Sequence, residues 1–411
     1  MQSTATPAPL TTAHSIALYT GALLGPSLLL LPGLAAASAG PASIISWLAM
    51  LALSGLLAIT FAVLGARYPA RGVSGYVAAA FGERWAAAAS WCFLGGVIAG
   101  APVVCLIGGN YVAVLLGGGE ATALIASALL LAVVLLVTAS GARASARVQL
   151  ALVGVMVAVV AVAVVGALPS VRATNWHPFL PHGTASIGTA ASQLMLSFVG
   201  WESVAALTHR LRDPSRQLPR VIASAFAATS AIYLGLAATS IAVLGPAAGE
   251  EVALTDLLRV ALGGAAPVVT AITAVALTLA ATNAYITGGV ALLRQSARHG
   301  TPPRTWIVPG GIAVVGALAI GARATGFADT AQLVSVPSAL FLAVYLAATL
   351  AGSVVLGGAV RAVSIAAAVC VLAVIVFIGG AMLIAVAVGA VALVVTRRPA
   401  RGAPSTRRAV S

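Results

Sequence analysis

The side chains able to do chemistry in this chain are few, and Glu202 stands out among them. It lies in Ser197-Phe198-Val199-Gly200-Trp201-Glu202-Ser203, inside a long apolar run. A charge at the centre of a bilayer costs about 2.5–3.5 kcal/mol, so an acid in such a place is by default functional. Three roles are open to it. It can bind a substrate ammonium, take up a proton because desolvation favours the neutral carboxyl, or accept bonds from freed backbone amides and brace a broken helix. A second candidate stretch is Leu24-Gly25-Pro26-Ser27-Leu28. Proline removes a backbone donor and glycine lowers the cost of leaving helical geometry, so both stretches read as interruptions of a helix.

Such breaks carry chemistry of their own. A half-helix N-terminus offers free N–H groups and partial positive charge, which suit a carboxylate. Gly25, Ser27 and Leu28 are the candidate donors, and Pro26 has no amide hydrogen to give. A half-helix C-terminus offers free carbonyls, which suit an ammonium. Phe198 and Val199, beside Gly200, are the candidate acceptors. One zwitterion can then bridge the two breaks without a charged side chain. Trp201 either closes over the substrate or packs as a large core residue. Asn283 and Tyr285 are two apart on a helix and do not share a face, so one faces a cavity and the other a neighbouring helix. Thr282 adjoins them. Gly95, Gly96 and Gly100 permit close packing or leave space beside a substrate. His177 and His182 lie five apart with no third ligand near them, so a metal site is not expected.

The elements that must position these residues follow from composition. Of 411 residues, 61% are apolar and 7% charged, whereas soluble proteins carry about 25% charged residues. Disorder and a soluble fold are both excluded. The cysteines Cys92, Cys105 and Cys370 are odd in number and each sits in an apolar run, so no disulfide framework is present. The apolar runs are unbroken rather than alternating, which excludes a β-barrel. The fold class expected is therefore an all-α polytopic membrane protein with about twelve spans. They fall near 14–38, 42–66, 86–116, 121–139, 147–168, 187–208, 218–244, 262–292, 306–322, 331–353, 361–378 and 380–396.

The net charge of +13 comes from 21 basic residues, all of them arginine. Numbering the connections alternately, 18 arginines fall on one side, and Arg172, Arg259 and Arg323 fall on the other. The positive-inside rule makes the first side cytoplasmic and puts both termini there. The charge thus needs no nucleic acid to explain it. The expected location is the inner, cytoplasmic membrane of a bacterium, multi-pass, with the lipid bilayer as partner and the oligomeric state left open. The first apolar run is as long as a full span and is read as uncleaved.

The two interrupted spans are the first and the sixth. An offset of five inverts the second copy, and paired interruptions in an inverted repeat point to a transporter site at the midplane. The expected organisation is a short cytoplasmic segment (1–13), a first repeat of five spans (14–168) and an external connection anchored by Trp176 and Phe179 (169–186). A second repeat (187–353), two extra C-terminal helices (354–396) and a basic tail (397–411) follow. Arg67, Arg71, Arg212, Arg216 and Arg220 make basic loops, and Asp213 can pair with one of these arginines. H-E-x-x-H, G-x-S-x-G and G-x-x-x-x-G-K-[ST] are all missing, which argues against a metallohydrolase, a serine hydrolase and a nucleotide-driven pump.

Four stretches resemble the amino acid–polyamine–organocation superfamily of secondary transporters. They are Phe198-Val199-Gly200-Trp201-Glu202, the loop Arg212-Asp213-Pro214-Ser215-Arg216-Gln217-Leu218-Pro219-Arg220, the loop from Arg67-Tyr68-Pro69 through Tyr76 to Phe81-Gly82, and Asn283-Ala284-Tyr285-Ile286. The last is similar to the branch of bacterial exporters of methionine and branched-chain amino acids. The resemblance runs from about Thr12 to Thr396. It implies broken helices 1 and 6 and a substrate carboxylate held at the first break. It also implies an inner gate among Arg67, Arg71, Asp213 and Arg216. The usual G-x-G of the first break is Gly25-Pro26-Ser27 here, and His209 and Arg210 replace acids that often precede the loop signature. The expected function is secondary transport of neutral apolar amino acids, proton-linked through Glu202, with no cofactor and no enzymatic activity. A polyamine or cationic amino acid carrier is the alternative, and a channel the remoter one.

Overall fold

The structure, a computed structural model, describes residues 12–68, 72–140, 146–201, 214–296 and 304–396. Glu202, Arg71 and Asp213 lie outside the described residues. Fifteen helices are named here in chain order, all within the described residues. They are α1 (Thr12–Leu23), α2 (Ser27–Ala39), α3 (Ser43–Arg67), α4 (Gly72–Phe81), α5 (Glu83–Leu116), α6 (Glu120–Ala139), α7 (Ala146–Ala167) and α8 (Ala185–Leu194). After them come α9 (Pro214–Leu244), α10 (Ala253–Leu262), α11 (Ala266–Ser296), α12 (Ile307–Ala324), α13 (Thr330–Val355), α14 (Gly358–Ile375) and α15 (Ala381–Val395). The described residues contain no strand. Unbroken runs of Ala, Leu and Val meet the bilayer's demand that every backbone group be bonded within its own segment.

Nine apolar stretches among the described residues are long enough to cross a bilayer. The other three expected spans depart from that pattern. The first is split into α1 and α2. The sixth begins as α8 and the 3₁₀ turn Met195–Phe198. The last, α15, has 15 residues. Two helices fall outside the expected spans. The ten-residue α4 occupies what read as loop after the second span. The amphipathic α10 precedes the eighth span. It buries Leu254, Leu257 and Leu258, while Asp256 and Arg259 pair at 2.8 Å on its polar face.

The 34-residue α5 is the central post. At 1.5 Å per residue it is about 51 Å long, and it packs against α4, α6, α11, α12, α13 and α15. Around the breaks the core is aromatic. The Trp47 ring stacks on Tyr233 with centroids 4.9 Å apart, and Phe198 meets both. Phe61 bridges Tyr76 and Tyr345 edge-on. The connection at 169–186 is docked onto the end of α9. The Arg172 amide donates to the Ala242 carbonyl at 2.9 Å, and the Asn175 side chain donates to the Ala242 and Val243 carbonyls.

Charge sorts with the ends of the bundle. The end opposite the arginine-rich loops holds acids that meet two of its three arginines. Arg259 pairs with Asp256. Arg323 lies 3.5 Å from Glu120 and 3.6 Å from Glu251. Glu251 also accepts from Asn110 and Thr330, so one carboxylate joins α5, α12 and α13. At the same end α2 presses on the Gly245–Gly249 turn. A Cβ on Gly33 would stand 2.3 Å from the Glu250 carbonyl oxygen, and Gly249 meets the Ala37 backbone.

Candidate functional site at the paired helix breaks

The first break is set by Pro26. Without an N–H it cannot continue the helical ladder, and its ring excludes the carbonyl four residues back. The last bond of α1 runs from the Leu24 amide to the Thr20 carbonyl, and α2 restarts with Leu28 to Gly25 and Leu29 to Pro26. Between them the amides of Gly25 and Ser27 have no backbone partner among the described residues. They stand at the N-terminus of α2, where the dipole favours an anion.

The second break opens after Phe198. Val199 is extended (φ −75°, ψ 124°), and Gly200 has φ 149°, a conformation that side-chain-bearing residues rarely adopt. Tyrosines hold both breaks. The Tyr233 hydroxyl, from α9, reaches the Leu23 carbonyl at 3.1 Å and the Ser197 carbonyl at 3.0 Å. One side chain thus ties the end of α1 to the end of the sixth-span turn. The Tyr345 hydroxyl, from α13, accepts from the Gly200 amide at 3.2 Å and lies 3.3 Å from the Phe198 carbonyl. The Tyr111 hydroxyl, from α5, donates to the Leu29 carbonyl at 2.7 Å, one turn before the internal Pro32.

A cavity of about 240 Å³ lies where the two breaks meet. That is just below the roughly 300 Å³ at which drug-sized pockets begin. Its polar edge comes from Gly21, from Leu23 to Ser27, and from Val199 and Gly200. Its apolar wall comes from Phe93 and Val97 of α5, Val153 of α7, Leu277, Ala280, Ala281, Ala284 and Tyr285 of α11 and Phe341 of α13. Among the described residues no charged side chain lines it. Glycines let the aromatics in. A Cβ on Gly96 would meet the Phe341 ring at 3.0 Å, and one on Gly100 would touch Tyr285 at 3.6 Å. These glycines serve packing, and what they pack are two cavity walls.

The expected site residues divide accordingly. Leu24, Gly25, Pro26, Ser27, Val199, Gly200 and Tyr285 line the cavity. Leu28 is buried off the wall. Phe198 turns into the Trp47–Tyr233 cluster. Trp201 is fully buried and donates through Nε1 to Ser54 at 2.8 Å, so here it packs. Asn283 points away from the wall, with its buried side-chain oxygen unpaired among the described residues. Thr282 faces Cys105 of α5. Arg67 donates to the Val355 carbonyl at the end of α13, 2.9 Å away, and lies over Tyr68. Arg216 is exposed at the start of α9. Sequence reasoning passed over Tyr233, Tyr345, Tyr111 and Phe341. Each stands in an apolar span with no local signal, and only its partner across the bundle reveals it.

The chain is similar in sequence to known proteins along most of its length. The family described as "Amino acid permease" matches residues 10–403. The uncharacterized amino acid permease YecA of Bacillus subtilis (strain 168) is 30% identical over 354 residues, covering 83% of this chain and 84% of that protein. The L-methionine/branched-chain amino acid exporter YjeH of Escherichia coli (strain K12) is 31% identical over 246 residues, covering 59% and 57%. The branched-chain amino acid permease BcaP of Lactococcus lactis subsp. cremoris (strain MG1363) is 25% identical over 262 residues, covering 55% and 56%. A multi-pass helical bundle with two broken spans around a central cavity, matched along nearly its whole length, belongs to the amino acid permease family of the amino acid–polyamine–organocation superfamily, and is a transporter rather than an enzyme.

Proposed function

We propose that the chain moves neutral apolar amino acids, methionine and the branched-chain residues foremost, across the bacterial cytoplasmic membrane by proton-linked alternating access. The observation that carries this reading is the cavity where both breaks meet, apolar on its wall apart from Ser27 and Tyr285 and without a charged side chain among the described residues. The carboxylate takes the free amides of Gly25 and Ser27, and the ammonium takes carbonyls at the sixth-span break. The side chain lies against Val97, Leu277, Tyr285 and Phe341. The names of the exporter and the branched-chain permease among the relatives support the substrate class. A polyamine or a cationic amino acid would want a carboxylate on the wall, and the described wall has none.

In this reading both termini are cytoplasmic and the repeats 14–168 and 187–353 rock about the site. The Glu251 cluster and the Gly33–Glu250 contact belong, in this reading, to the outer gate. Glu202 follows directly on the sixth-span break and takes the coupling proton. The test is counterflow in proteoliposomes with a panel of amino acids, with and without an imposed proton gradient. Methionine and leucine exchange, with Glu202→Gln flattening the pH profile, is the expected result. Absence of counterflow for every amino acid overturns the substrate reading. An unchanged profile at normal rate removes Glu202 from coupling.

A further inference from the structure

A second concavity lies on the outside of the bundle, away from the transport cavity. It is a trough of about 470 Å³ between α4, α5, α13 and α15. Small residues make its floor: Ala88, Ala89, Ala347 and Gly389. Phe81, Trp85, Leu350 and Leu393 rim one end, and Cys92 and Met382 mark the other. Along α15, Met382 to Leu393 is eleven residues, or about 16 Å. That is close to half of the roughly 30 Å hydrocarbon core, so the trough spans one leaflet. The leaflet is the one on the arginine-rich side, because the rimmed end lies at the N-terminus of α5 and the C-termini of α13 and α15.

We propose that this trough seats one acyl chain of an anionic phospholipid. Its headgroup end carries the two features that a phospholipid headgroup recognises. Phe81 and Trp85 are 40% and 55% exposed, although each is large and apolar. Aromatics placed so belong at the headgroup level. Arg84 is exposed between them in sequence. Glu83 is the acid nearest in sequence. A groove against α13 also bears on transport, since the opposite face of that helix carries Phe341 of the cavity wall.

The experiment is native mass spectrometry of the full-length protein with phosphatidylglycerol or phosphatidylcholine. The wild type should retain phosphatidylglycerol roughly fivefold better, the preference expected from one arginine near an anionic surface. Arg84→Gln should bring the two lipids level, and Gly389→Leu, which fills the floor beside Cys92, should abolish retention of both. If Gly389→Leu does not fold, the Arg84→Gln comparison stands alone. Equal retention of both lipids by the wild type overturns the proposal. So does retention unaffected by Gly389→Leu, or a dimer in the absence of lipid that Gly389→Leu dissociates, which would make a second copy the occupant.

Discussion

Removing the hydroxyl of Tyr233 separates the two breaks while sparing their packing. In Tyr233→Phe the ring can still stack on Trp47, 4.9 Å away, and lie against Phe198, 5.5 Å away. What disappears is the one donor shared by the Leu23 and Ser197 carbonyls at 3.1 and 3.0 Å. A buried hydrogen bond contributes about 0.5–1.5 kcal/mol net, and an acceptor left unsatisfied costs about 1–3 kcal/mol. If the two breaks move apart during the cycle, the tie exists in one state only. Its loss then shifts the equilibrium between states by about 1–3 kcal/mol, or roughly 5- to 150-fold. The assay is thiol labelling of a cysteine placed at Ala284 on the cavity wall, with Cys92, Cys105 and Cys370 replaced by alanine. Labelling from the arginine-rich side should fall in Tyr233→Phe, and the substrate KM measured from that side should change with it. A merely structural role would lower the melting temperature and leave labelling of the folded fraction unaltered. Unaltered labelling with unaltered KM would refute the tie.

Gly33→Ala should be destabilising or trap an altered outer end, since its Cβ would stand 2.3 Å from a backbone oxygen of Glu250 that has no side-chain freedom. A melting temperature and outer-side labelling equal to wild type would contradict that contact. Gly96→Ala should push the Phe341 ring, 3.0 Å from the new methyl, into the cavity. Overpacking of this kind costs about 1–3 kcal/mol, so methionine and leucine should lose affinity about tenfold while alanine loses little. An equal loss for all three in competition binding would place Phe341 outside side-chain recognition.

The broken first span was legible because its cause is covalent: Pro26 has no N–H wherever the chain folds, and Gly25 and Ser27 adjoin it. The sixth-span break was legible from Gly200 beside Glu202 in an apolar run. Tyr285 against Asn283 was half legible. Helical spacing said that they face different ways, and the bundle put Tyr285 on the wall. Helices α4 and α10 escaped because they are ten residues each and lie outside the long apolar runs. Their partners lie on other segments. Trp201 could gate or pack on spacing alone, and its bond to Ser54 across the bundle sets it in the core.

By itself the sequence determined the solvent. With 7% charged residues the chain can be stable only in lipid, and lipid permits helices whose polar groups are satisfied internally. It also determined which backbone groups would be free, because proline and glycine act locally. Only the tertiary structure decided what those groups meet. Leu23 and Ser197 are 174 positions apart, and nothing local brings both within reach of one Tyr233 hydroxyl. A hydrogen bond acts over about 3 Å, so the site exists only where the packing of α1, α8 and α9 places those atoms.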